Sequence, residues 1–372
     1  MVILVTGGAG FIGSHLCRQL IRLGHSVRVL DNLSPQVHGD HADPTSILPS
    51  EVDFVLGDVR DADAVRRALE GVDFVFHLAA ETGVGQSMYQ VHKYMDCNVC
   101  GTAQLLEAIA EKPEKIKRLV IASSRAVYGE GAGECPSCGE VYPNLRTPED
   151  MATGNWEAKC PLCGKSVKPI PTREDKLLNP GSVYAISKRV QEDLALCVCK
   201  AYDVPVVVLR FFNVYGSGQS LTNPYTGIIT IFASRIKNGD PPLVYEDGQE
   251  TRDFVHVSDV VQGCILAMGT SKADYEVVNI GSGTFLSIVE MARIMVREFG
   301  ADLQPEIIGK YRVGDIRHCT ADLSKARRLL GYEPRTSFSE GIREFLTWAR
   351  DRHSEDRLEL ATRELEQRKL FR

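Results

Sequence analysis

"VILVTGGAGFIG", residues 2–13, decides the fold. Five apolar or β-branched residues run into a glycine-rich turn, and sequence of helical character follows at once. Gly7 permits a tight turn, Gly10 lets the backbone approach a pyrophosphate, and Gly13 allows a helix to pack closely on the strand. The helix N-terminus then meets the phosphates with unpaired N–H groups. A glycine string alone is a weak signal, but strand, turn and helix in this order make it specific. Asp31 ends the next apolar run, about 20 residues on. A carboxylate there can hydrogen-bond a ribose diol and would repel a 2′-phosphate, which favours NAD over NADP. "GDV" at 57–59 closes the third run and is expected beside the adenine.

The same rhythm continues outward. "SVRVLD", "VDFVLGD", "VDFVFHLAA" and "RLVIASS" are short apolar runs suited to parallel strands buried on both faces. Helices fit between them at 11–23, 61–70 and 94–111. A long helix at 182–202 precedes a further strand, "VPVVVLRFFN" at 204–213. This alternation predicts an α/β fold with a doubly wound parallel sheet. From about residue 220 the pattern loosens into short strands ("PLVYE", "DFVHV", "EVVNIG") and isolated helices. We expect a dinucleotide-binding domain over 1–215, interrupted by an insert at 131–170, then a mainly substrate-binding lobe over 216–353. The stretch 354–372, "SEDRLELATRELEQRKLFR", reads as a charged helical tail in solvent.

Composition narrows the partners. A net charge of −6 favours neither nucleic acid nor an anionic membrane surface. No apolar run approaches 18 residues, so no membrane span is expected. The start lacks the basic region and cleavage site of a signal peptide. With 11 cysteines, a reducing compartment follows, and the expected location is cytoplasmic. Cys17, Cys97, Cys100, Cys197, Cys199, Cys264 and Cys319 lie mostly in apolar contexts and read as packing.

"SVYAISKRVQED" at 182–193 places Tyr184 and Lys188 one helical turn apart on the same face. A tyrosine with a pKa of about 10 is a poor base at neutral pH. A nearby ammonium, with a positive nicotinamide ring, would favour the phenolate. Ser124, at a strand end, can offer a hydroxyl to the same substrate oxygen.

At this point the chain resembles the extended short-chain dehydrogenase/reductases, in the nucleotide-sugar epimerase/dehydratase branch. TGGAGFIG, Asp31, Asp58, "HLAA", "NVCGT", Ser124, Tyr184/Lys188, "LRFFNVYG", "RDFVHVSD" and "RVGD" carry the resemblance over about 1–130 and 170–350. It implies a Rossmann domain with tightly bound NAD. Alongside the turn glycines, Phe11, Ile12, Asp31, Asn32, Asp58, Val59, Leu78, Ala79, Ala80 and Asn98 are then expected at the cofactor, with Tyr184, Lys188 and Phe212 at the nicotinamide end. Ser124, Tyr184 and Lys188 would carry the chemistry. Asn213, Arg252, Arg312 and Asp315 would meet a nucleotide-diphosphate sugar. Relatives pair the helices corresponding to 94–111 and 182–202 across a two-fold axis, so a homodimer is expected. Val99, Leu105, Leu106 and Ile109 in one helix, and Val190, Leu194, Leu196 and Val198 in the other, extend beyond a single apolar stripe.

The branch also divides by reaction. Its 4,6-dehydratases follow the catalytic Ser or Thr with an Asp-Glu pair, whereas here Arg125 and Ala126 follow Ser124. Reductases of the group use exchanging NADPH, which Asp31 disfavours. What remains is 4-epimerisation. "LDNLSPQVHG" at 30–39 and "ETGVGQSMYQ" at 81–90 are similar to the group acting on dTDP-L-rhamnose more than to the UDP-galactose 4-epimerases, which usually carry lysine in place of Thr82. A UDP-glucose or UDP-glucuronate 4-epimerase, and a nucleotide 4-keto-sugar reductase or dehydrogenase of the same fold, stay open as alternatives. So does a non-catalytic NAD-sensing or zinc-ribbon interaction protein.

One feature lies outside the resemblance. Cys135, Cys138, Cys160 and Cys163 form C-x2-C-x21-C-x2-C, each pair followed by glycine. This is a strong structural zinc signature, because four thiolates close a tetrahedral site with no open position. A redox disulfide is the alternative. The insert is expected near the rim of the sugar pocket, as part of a lid or a subunit contact. "CNVC" at 97–100 has no second pair and reads as packing.

Overall fold

The apolar runs form one seven-stranded, all-parallel sheet. In the computed structural model, which describes residues 1–40, 42–221, 223, 225, 227–352 and 358–371, the strands are β1 (Val2–Thr6), β2 (Ser26–Asp31), β3 (Asp53–Leu56), β4 (Phe74–His77), β5 (Arg118–Ser124), β6 (Val206–Phe211) and β7 (Glu276–Ile280). Their spatial order is β3-β2-β1-β4-β5-β6-β7, with the direction of winding reversing at β1. β7 comes from the stretch drawn with the smaller lobe, so the main sheet reaches beyond residue 215.

Alternate side chains leave the sheet on opposite faces. Ile3 and Val5 join one core, against helices α1 (Phe11–Arg22) and α6 (Val257–Gly269). Leu4 and Leu30 join the other, against α2 (Ala62–Leu69), α3 (Gly101–Ala110) and α4 (Val183–Ala201). Burial on both faces is why these strands read as unbroken apolar runs. A third core unites α5 (Ile228–Lys237), α7 (Ile288–Phe299) and α8 (Phe338–Arg350) in the smaller lobe.

Several expectations are corrected. The helix over 94–111 begins at Val91 and passes through a π-helical stretch, Met95–Cys100, before α3. Leu105, Leu106 and Ile109 are fully engaged in the chain's own core, and Leu194, Leu196 and Val198 pack against it. Leu194, Leu196 and Val198, with Val99 and Val190, stay part-exposed, and Ile186 on the same helix is 43% exposed. Of the packing cysteines, Cys100 and Cys197 are exposed. The tail is not solvated throughout. Residues 354–357 and 372 of it lie outside the described residues, and 363 and 366–369 are exposed, but α9 (Leu358–Gln367) returns to the smaller lobe. There Leu365 and Phe371 are buried, and the Val313 N–H donates to the Leu370 carbonyl at 3.0 Å.

Candidate active site

The turn after β1 is held by contacts that only glycine permits. Gly7 has φ +69°, and a Cβ there would lie 2.7 Å from the Ala79 nitrogen. A Cβ on Gly13 would lie 2.3 Å from the Gly7 carbonyl oxygen. Gly10 stands at the N-cap of α1 with no side-chain cap, so the first N–H groups of the helix border the adjoining cavity. That cavity has a volume of about 570 Å³.

Every residue expected at the cofactor lines it except Asn98. Asn98 is fully buried in the π-helical stretch and acts on the wall from behind. Its Oδ1 accepts from the Glu81 N–H at 2.8 Å, and its Nδ2 donates to the Glu81 carbonyl at 3.1 Å. Asp31 is fixed by the N–H groups of Ala9 (3.0 Å) and Leu33 (2.9 Å). Asp58 accepts from Asn32 at 2.9 Å, and hydrogen bonds from Arg60 hold its carboxyl down to about 2. A glycine cradle at a helix N-terminus, with a fixed carboxylate at the end of β2, fits a dinucleotide.

A second cavity, of about 340 Å³, opens on the other side of Tyr184. Ser124, Tyr184 and Phe212 line both cavities. Tyr184 projects from the first turn of α4, where the Ser182 side chain accepts from the Ala185 N–H. Its ring meets Tyr94 edge-on at 6.5 Å. Burial raises the Tyr184 pKa, while a hydrogen bond with Ser124 and the Arg125 guanidinium pull it back. Lys188, drawn down to about 8 by burial, donates to the Ala122 carbonyl at 2.9 Å. The Arg125 guanidinium is thus a charge near the phenol besides the expected Lys188. Arg125 lines the second cavity and makes no hydrogen bond or ion pair among the described residues.

Asn213, Arg252, Arg312 and Asp315 all line this cavity. The two arginines differ. Arg252 donates to the carbonyls of Thr251, Arg317 and Ile316 at 2.8–2.9 Å, so it largely fixes backbone. Arg312 lies over the Tyr245 ring at 4.8 Å, and its Nε is buried without a hydrogen-bond partner. Asn213 Oδ1, Gln219 Oε1 and Glu250 Oε2 are unmet in the same way, all in the wall of one cavity. Unmet buried polar groups converging on a cavity mark a place for a polar ligand. The tail completes the wall with Leu365 and Leu370, and Glu364 accepts from Tyr89 (2.8 Å) and Tyr225 (2.6 Å). The only sequence signal for this was the apolar set Leu365, Leu370 and Phe371 within a charged stretch.

The four cysteines lie outside both cavities. Their sulfurs are all within 4.8 Å of one another, with Cys135 and Cys163 at 3.5 Å. A tetrahedron with Zn–S arms of about 2.3 Å has edges of about 3.8 Å, so the donor set fits that ion. The Leu162 N–H points to the Cys160 sulfur at 3.4 Å. Backbone N–H groups, that of Ser137 first, bring Cys135 down to about 7, while Cys163 drives Cys138 up to about 12. The insert's own core is Cys135, Val141, Ala158, Cys160 and Val167, which is too little apolar surface to order it unaided.

The described residues hold no helix long and apolar enough to cross a membrane. A model of the NAD dependent epimerase/dehydratase family matches residues 3–148 and 161–281. The dTDP-L-rhamnose 4-epimerase of Burkholderia thailandensis is 38% identical over 349 residues, 93% of this chain and 94% of that protein. Among solved structures, the UDP-glucose 4-epimerase of Thermotoga maritima with UDP-glucose superposes with a TM-score of 0.77 at 30% identity, covering 94% of this chain and 99% of that one. The UDP-glucuronic acid 4-epimerase of Bacillus cereus, in complex with UDP-glucuronic acid and NAD, gives 0.77 at 28% identity with the same coverage. By its matched sequence and by the cavities that meet at Tyr184, this chain belongs to the NAD-dependent epimerase/dehydratase family.

Proposed function

We propose that the chain is a nucleotide-sugar 4-epimerase working with tightly held NAD, and that its substrate is dTDP-L-rhamnose. The observation that carries this reading is the shared wall: Ser124 and Tyr184 face the dinucleotide cavity and the polar-ligand cavity together. NAD, when bound, supplies the acceptor and donor for hydride at C4. Tyr184 takes the proton of the C4 hydroxyl and later returns it, Ser124 holds the same oxygen, and the Arg125 charge eases formation of the phenolate. Arg312, with its unmet Nε, takes the diphosphate, for which a guanidinium fork is well shaped. Arg125 and Ala126 in place of two acids speak against dehydration. The substrate follows the Burkholderia relative.

A second reading, a UDP-glucuronate 4-epimerase, is favoured by one observation. The guanidinium of Arg125 has no hydrogen-bond partner at the sugar end and would suit a carboxylate. Incubation with dTDP-L-rhamnose, UDP-glucose and UDP-glucuronate, followed by NMR of C4 stereochemistry, separates the two. We also read the four cysteines as a structural zinc site. We also infer a homodimer, from the resemblance and from the part-exposed Val190, Leu194, Leu196 and Val198, and light scattering tests it.

A further inference from the structure

We propose that the four-cysteine insert acts on substrate binding, as a buttress for loop 311–318, with Glu157 and Arg146 as its positioning residues. The proposal rests on the reading of Arg312 as a diphosphate ligand.

The loop needs outside support. Gly309 and Gly314 flank Arg312 with φ of +66° and +82°, and the loop has little regular structure of its own. The insert supplies that support on both sides of the substrate residues. Arg146 grips Glu246 with two parallel hydrogen bonds of 2.7 and 2.8 Å, and donates to the Asp315 carbonyl at 3.0 Å. Glu157 accepts from Arg317 at 2.6 and 3.0 Å through one oxygen, and pairs with His318 at 3.1 Å through the other. Arg317 is also gripped by Asp247 at 2.7 and 2.9 Å. Ahead of Arg312, the Trp156 ring meets Tyr311 edge-on at 6.0 Å, and the Tyr311 hydroxyl donates to the Pro148 carbonyl at 3.4 Å. Glu130, where the chain enters the insert, accepts from the N–H groups of Arg317 and His318.

The side chains of Arg146 and Arg317 are only 2% and 1% exposed, so these charges are buried and depend on their partners. Arg146 and Glu157 both lie between Cys138 and Cys160, so the cysteine cluster ties together the two ends of the segment that carries them. The family match omits residues 149–160, which include Glu157 and Trp156. Arg146, Glu130 and Glu246 lie within the match, so of the insert's clamping residues only Glu157 and Trp156 fall outside it. The insert's inner edge is thus occupied by contacts with its own chain.

The test uses the full-length protein with NAD bound and dTDP as the probe, read by calorimetry, together with steady-state kinetics on dTDP-L-rhamnose. Glu157 is partly exposed, so Glu157→Gln should fold. We expect it to weaken dTDP binding and raise KM by about tenfold, the effect of losing one charge-assisted contact. The kcat should stay within about twofold, and NAD content should be unchanged. Glu157→Asp should fall between, and Glu149→Gln, on the exposed face of the insert, should match wild type. If Arg312→Ala loses dTDP affinity while Glu157→Gln keeps it, the buttress is overturned and the diphosphate reading stands. If Arg312→Ala binds dTDP as wild type does, the diphosphate reading fails and the buttress falls with it. A parallel loss of kcat, KM and NAD content in Glu157→Gln also overturns the proposal, because it marks general unfolding.

Discussion

On the cofactor side of Tyr184 the wall comes mainly from successive turns at the ends of β1 to β4, shaped by glycines and pinned by backbone hydrogen bonds. On the substrate side it is gathered from segments near residues 84, 125, 213, 250, 312 and 365, held by side-chain charges and by the tail. The first wall is made of local backbone geometry, which a central sheet makes rigid. The second exists only because distant parts of the chain are tied together. Changes to backbone space should therefore break cofactor binding, and changes to charge or to the insert should break substrate binding, with Tyr184 common to both.

The largest effect is expected where the walls meet. Tyr184→Phe should lower kcat by about 10²–10⁴-fold, the usual contribution of an acid–base group, while the ring keeps the fold and NAD stays bound. Rate and NAD content measured on one preparation check this. Gly13→Ala attacks the cofactor wall alone. With a Cβ only 2.3 Å from backbone oxygen, NAD occupancy should drop by about tenfold or more, by absorbance of the denatured extract. Cys160→Ser attacks the other wall. Metal content by elemental analysis should fall from about one zinc per chain, and KM for the nucleotide sugar should rise by roughly tenfold while NAD remains.

The smallest effect is a pH dependence. Burial lifts the Glu250 carboxyl to about 7, against the pull of Arg252. A diphosphate placed in this cavity favours the protonated form, so binding takes up a proton. Affinity for dTDP should then be highest below pH 7 and decline a few-fold as pH rises through 7. Calorimetry between pH 6 and 8 checks this, and Glu250→Gln should flatten the profile.

What could be read from sequence follows the same division. β5 and β6 are buried on both faces and show as continuous apolar runs. The glycine turn and the Tyr184–Lys188 spacing are likewise local patterns, and the structure brings those residues to the cofactor cavity. The clamp is not local. Arg146 and Glu246 are 100 residues apart and Glu157 and Arg317 are 160 apart, so in sequence they are four ordinary surface charges. The tail misled because Glu364 and Leu365 find their partners in distant loops. Asn98, expected at the cofactor, instead spends its side chain on the Glu81 backbone and the Ser187 hydroxyl.

One NAD molecule that takes and returns the hydride, within a site holding both ligands, leaves an isotopic signature at C4. With dTDP-[4-²H]-L-rhamnose and no added cofactor, C4-inverted product should keep its deuterium, with none in free cofactor or solvent. Label accumulating in exchangeable NADH, with conversion limited by the cofactor supplied, would contradict it and make the protein a dehydrogenase or reductase.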